Sequence, residues 1–146
     1  MPARFPMTWM VSQARPLNSA MQAQRGDIFL VDFEPSKSDD PTRRRAERQK
    51  AGSEIFKVRP AVVVSINALN RGRKTVVVVP LSSSPREAPP LVVSVPSAGQ
   101  GSAAVCDQIT AVNQSTRLKR KIGSLSAPDL LAIEQALGEI LRITRR

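Results

Sequence analysis

PAVVVSINALNRGRKTVVVVPL, residues 60–81, holds two runs of apolar residues at 61–64 and 76–79, parted by a polar link rich in Asn, Gly and Arg. Side chains branched at Cβ fit a pleated surface better than a helix, so valine runs bounded by Pro, Asn and Gly read as strands. The link is too short for a parallel crossover, which takes a dozen or more residues. The two strands therefore lie antiparallel.

Working outward, RGDIFLVDF at 25–33 alternates loosely through Ile28, Phe29, Val31 and Phe33 and is stopped by Glu34-Pro35. PLVVSV at 90–95 and SAAVCDQI at 102–109 supply two more strand-like runs, again with short loops of Asn, Gly, Ser and Pro. Five short strands with short links predict a mainly β (α+β) fold, a small twisted antiparallel barrel. SLSAPDLLAIEQALGEILRI at 124–143 predicts a C-terminal helix. Ser126 is its N-cap, Asp129 completes a capping box, and Leu130, Ile133, Leu137, Ile140 and Leu141 line one face for packing on the sheet or a partner.

The chain has 146 residues, room for one domain, and we assign it to 21–146. Residues 1–20 carry three prolines and no helix or strand period, and are expected to be a disordered extension. Trp9 falls in it, outside any expected site, and Met21 is a candidate start. No segment has the ~20 apolar residues of a membrane span, and the first twenty residues lack the apolar block of a signal peptide. One cysteine, Cys106, cannot form an internal disulfide, fits a reducing cytoplasm and reads as core filler.

Charge narrows the function. Lys and Arg number 22 against 12 Asp and Glu, a net +10, which points to a polyanionic partner. The chain has no histidine, which removes histidine-dependent hydrolases, paired-histidine nucleases and His-ligated zinc. No metal or other cofactor is expected. The connection at 36–57 is long for a compact domain and basic, with Lys37, Arg43, Arg44, Arg45, Arg48 and Lys50. NQSTRLKRKIG at 113–123 has four basic residues and no acid. Lys57, Arg44, Arg45, Lys119 and Arg120 are therefore candidate phosphate contacts. Arg59 stands out because it precedes Pro60 at the mouth of a buried run. Burying an unpaired guanidinium costs several kcal/mol, so that position needs a reason, either an ion pair with Glu54 or Asp32 or an anion to bind.

Four blocks in order, RGDIFLVDFEPSK (25–37), GSEIFKVRPAVVVS (52–65), VVVPLSS (77–83) and AVCDQITAV (104–112), followed by a terminal helix, resemble the MazF/PemK toxin family over residues 24–143. The resemblance implies an SH3-like barrel, a homodimer and a cognate antitoxin. It also implies metal-independent, sequence-specific cleavage of single-stranded RNA by 2′-hydroxyl attack, leaving 2′,3′-cyclic phosphate and 5′-hydroxyl ends. On the matching positions it implies that Arg59 stabilises charge at the phosphorus, that Ser82 donates a hydrogen bond there, and that Glu54 is a base or orients Arg59. Gln108 would contact RNA. Asp27 reads as structural. This chain departs from the family in two places. The 36–57 loop is longer and more basic, and Ser82 stands where the family most often has threonine, keeping the hydroxyl but losing the methyl group.

Two other functions fit the same fold. One is a non-catalytic SH3-like module that grips nucleic acid, weakened by the few aromatics available for stacking. The other is a gyrase-poisoning toxin of the same fold, whose relatives lack the RP and VP pairing seen here.

Overall fold

The computed structural model describes residues 22–33, 58–83 and 88–143. The expected N-terminal extension and the basic connection at 36–57, with Glu54, Lys57, Arg44 and Arg45, lie outside these. Strands β1 (Asp27–Asp32), β2 (Val58–Val63) and β3 (Thr75–Ser82) form where the valine-rich runs place them. The runs at 90–95 and 102–109 shorten to β4 (Val92–Ser94) and β5 (Ala103–Val105). Two further strands, β6 (Thr110–Asn113) and β7 (Leu118–Ser124), come from stretches with too few apolar residues to read as strands. The link after β2, expected as a loop, is helix α1 (Asn67–Gly72). A four-residue helix, α2 (Gln114–Arg117), joins β6 to β7, and α3 (Ala127–Ile140) ends the fold.

All pairings are antiparallel, in the order β4-β5-β3-β2-β1-β7, with β6 also on β3. The path β6-β3-β2-β1-β7 curls because its ends are tied. A flat sheet would hold β6 and β7 about 19 Å apart at the usual strand spacing, whereas α2 advances only about 1.5 Å per residue. Asn113 caps α2, its side chain accepting from the Ser115 and Thr116 amides at 2.9 and 3.2 Å. The ladder does not close, and β4 and β7 remain the ends of the path. The barrel-like curl thus uses β6 and β7, while β4 and β5 make a separate hairpin packed outside it.

Each face of the sheet carries a core, and alternation along β2 and β3 decides which side chain joins which. Inside the curl lie Phe29, Val31, Ala61, Val63, Val76, Val78, Val112 and Leu118. On the other face Ile28, Val62, Val79 and Leu81 pack with Ala104 and Cys106, under Ile133 and Ala136 of α3. Burial pushes the Cys106 thiol up to about 11, with a smaller contribution from the Asp107 charge. The thiol therefore stays protonated at neutral pH, and core filler is the right description.

Pro80 has no amide to give a ladder, yet it sits in the central strand β3. Its position explains this. On one side β3 pairs β6 as far as Val78 and β5 from Leu81 onward, so Val79 and Pro80 fall at the change of partner. The interval is filled by the 3₁₀ turn Cys106–Gln108, which breaks what would otherwise be one strand, β5 plus β6.

The entry to β1 is built on Gly26, whose φ of +92° only glycine adopts freely. Its amide donates to the Val63 carbonyl at 2.7 Å and its carbonyl accepts from Leu125 at 2.8 Å, so the turn clamps β2 to the start of α3. Asp27 is structural here: its carboxylate accepts from the Gln24 amide at 3.0 Å and pairs with Lys121 at 3.2 Å. Arg25 pairs with Glu134 of α3 at 2.5 Å and donates to the Val64 carbonyl.

Candidate active site

The register of β2 on β3 brings together the two residues singled out from the sequence. Val63 faces Val78, Val62 faces Val79 and Ala61 faces Pro80, where the pairing ends, and Arg59 and Ser82 each lie two residues beyond that last pair. Both line one cavity of about 220 Å³ at the strand ends. Its other walls are Ile122, Gly123 and Ser124 of β7, the 3₁₀ turn Pro96–Ala98 through Ser97 and Ala98, and the loop residues Ser83 and Ser102. The cavity therefore sits at the seam where β7 approaches the outer hairpin.

Arg59 is exposed. The strand end lets its head group stay in water, so the desolvation cost that made it conspicuous in the sequence is avoided. Proline at position 60 restricts Arg59 to extended backbone, which the strand supplies. Among the described residues no carboxylate pairs with Arg59, and Asp32 lies instead opposite Val58. A guanidinium beside hydroxyls, with no carboxylate in the described lining, is suited to an anion with several oxygens. Among the described residues no three of His, Cys, Asp and Glu converge as metal ligands.

Glu54, Lys57, Arg44 and Arg45 lie outside the described residues. Gln108, half-buried in the turn between β5 and β6, is not among the lining residues. Lys119 and Arg120 are exposed on β7, whose described pairing is to β1 on one side. Arg120 is two residues from the lining residue Ile122, about 7 Å along the strand. Sequence reasoning missed Ser97, Ser102 and Ser124 as lining residues. Ser124 was recoverable only by reading 118–124 as a strand, and Ser97 carried no signal, since a tertiary contact brings it there.

The capping box at α3 is also only half as expected. Ser126 accepts from the Asp129 amide at 3.4 Å, but Asp129 does not return the bond. Its carboxylate accepts instead from the Ser97 amide at 2.8 Å and from the Ser97 hydroxyl, and the Ser97 Oγ accepts from the Ser126 amide at 3.0 Å. Ser97 takes the place of the box's second arm.

Fold and site together define a small curled β-sheet protein with an arginine and serine cavity at its strand ends and a helix across its outer face. The chain belongs to the PemK-like, MazF-like toxins of type II toxin-antitoxin systems, whose family model matches residues 24–141. Among solved structures it is similar to MazF from Deinococcus radiodurans, with a TM-score of 0.65 and 21% identity, covering 82% of this chain and 96% of that one. It is also similar to an endoribonuclease from a Mycobacterial species, at 0.61 and 20%, covering 86% and 96%. A Mycobacterial endoribonuclease in complex with its cognate antitoxin matches at 0.60 and 21%, covering 84% and 98%. No curated protein sequence matches the chain.

Proposed function

We propose that this protein is the toxin of a toxin-antitoxin pair, a sequence-specific endoribonuclease that cuts single-stranded messenger RNA in the cytoplasm without a metal or other cofactor. The observation that carries the reading is the placement of Arg59 and Ser82 at one cavity in a chain of this family. Cleavage of RNA by its own 2′-hydroxyl needs stabilisation of charge on the phosphorus and two proton transfers. Arg59 grips the phosphate oxygens, Ser82 donates to the same phosphate, and Glu54 is the carboxylate available as base or to orient Arg59. Lys119 and Arg120 hold the backbone of the strand as it leaves along β7; Lys57, Arg44, Arg45 and Gln108 extend that contact.

Incubation with RNA and with DNA of one sequence tests this directly. Cuts in RNA alone, at a recurring short sequence when 5′ ends are mapped, are expected. Binding without cutting makes the protein a nucleic-acid-binding module, and inhibition of gyrase with RNA intact makes it a toxin of the other kind.

The working form is a homodimer, and its partner antitoxin carries an acidic segment that covers the basic surface and competes with RNA. Support comes from an apolar groove along α3, where Ile66, Leu131, Leu141 and Ile143 are 62%, 49%, 54% and 62% exposed around a volume of about 1050 Å³. Contiguous apolar surface of that kind marks association sites. Light scattering at micromolar concentration is expected to give twice the chain mass; a monomer removes the dimer from the proposal. No described helix is long and apolar enough to cross a membrane.

A further inference from the structure

We propose that Asp129 is a positioning residue for this site, holding through Ser97 the 3₁₀ turn that walls the cavity shared by Arg59 and Ser82. The proposal rests on the ribonuclease reading. Four hydrogen bonds close a ring: the Ser97 amide and hydroxyl donate to one Asp129 carboxylate oxygen, the Ser126 amide donates to Ser97 Oγ, and the Asp129 amide donates to Ser126 Oγ. The ring joins the turn Pro96–Ala98 to the first turn of α3, and α3 begins just after β7 has given Ile122, Gly123 and Ser124 to the same cavity. One end of the helix thus anchors two walls at once.

The turn has backbone bonds of its own, from the Ala98 amide to Val95, from the Gly99 amide to Pro96 and, at its base, from the Val95 amide to Ser102. These fix its shape, and the Ser97 bonds to Asp129 and Ser126 are what seat it on α3. Hydrogen bonds to an ionised carboxylate are roughly twice as strong as neutral ones, and here a single side chain takes two from one residue. The choice of a carboxylate beside a cavity suited to phosphate is also accounted for. Its charge faces two donors and the positive end of α3, which offset its repulsion of an incoming anion. The Ser97 hydroxyl, engaged at both ends, is held in the wall rather than offered to substrate.

Steady-state cleavage of one RNA oligonucleotide by wild type, Asp129→Ala, Asp129→Asn and Ser97→Ala tests the assignment. Asp129→Ala is expected to lower kcat by roughly 10- to 10²-fold with KM changed far less, the loss expected when a reacting group is displaced by about an ångström. Asp129→Asn keeps an acceptor oxygen and is expected to recover most of that rate. Adding Ser97→Ala to Asp129→Ala is expected to cost little more, because the two act as one unit. A wild-type rate for Asp129→Ala, or equal losses in the alanine and asparagine variants, overturns the assignment. If Asp129→Ala does not fold, Ser97→Ala carries the test, with a smaller kcat loss expected and an unchanged rate overturning it. Amide exchange at Ser97 gives a readout independent of catalysis: protection present in wild type and Asp129→Asn and lost in Asp129→Ala supports the anchor, and equal protection in all three overturns it. A wild-type protein that fails to cut RNA while Ser97 stays protected removes the ribonuclease reading and leaves the anchor standing.

Discussion

Arg59→Ala is expected to abolish measurable cleavage, a loss of roughly 10²- to 10³-fold if a single electrostatic donor to the transition state is removed. The fold is expected to survive, since Arg59 is exposed at a strand end and packs into neither core. Circular dichroism and thermal melts on the variant separate lost chemistry from lost structure. Arg59→Lys is expected to recover little, because an ammonium is a point charge without the planar fork that takes two phosphate oxygens. Ser82 gives a second reading of the same site: threonine keeps the hydroxyl and is expected to keep the activity, whereas alanine loses most of it. Near-normal cleavage by Arg59→Ala ends the assignment, and equal rates for the two Ser82 variants take that residue out of the site.

A 2′-deoxy sugar placed 5′ of the cut is expected to stop cleavage altogether while the oligonucleotide still binds, and excess EDTA is expected to change nothing. A two-metal nuclease needs clustered hard ligands to set water in line with the leaving oxygen. This sequence has no histidine, and its one pair of adjacent acids, Asp39 and Asp40, lies in the long connection. In the proposed mechanism the nucleophile is the ribose oxygen of the substrate itself. That attack would form a bond from O2′ to phosphorus and break the bond to O5′, so the expected ends are a 2′,3′-cyclic phosphate and a 5′-hydroxyl, which end-labelling distinguishes from a 5′-phosphate. Cutting of the deoxy substrate, or loss of all activity in EDTA, overturns the mechanism.

How far the sequence could be read follows from what each signal depends on. β1 and α3 were legible because their apolar residues repeat near the period of their own element, and β2 and β3 because unbroken runs of β-branched residues end at Pro, Asn and Gly, all local properties. β7 was not. Of its seven residues only Leu118 is buried, and the exposed Lys119, Arg120 and Lys121 give it the charged composition of an end strand. The run at 102–109 read as one strand reaching past the true end of β5, because the 3₁₀ turn at Cys106–Gln108 has no local cause in the sequence, and β6 beyond it was not read. The site divides in the same way. Arg59 was visible through the conflict between its charge and its apolar surroundings, and Ser82 through the motif. Ser97 and Asp129 were not, because the bond between residues 32 positions apart is made only once the hairpin reaches the helix.

The sheet with a core on each face has a consequence for how the molecule melts. Val62 and Val63 are neighbours in sequence, yet one belongs to the layer under α3 and the other to the interior of the curl. The same holds for Val78 and Val79 on the strand beside them. Peeling away the helix would wet one side of β2 and β3 and leave the other side's valines on a backbone no longer fixed, so neither layer has a stable existence without its twin. The two hydrophobic layers are therefore expected to unfold in one transition, with near- and far-ultraviolet circular dichroism melting together and cleavage lost at the same temperature.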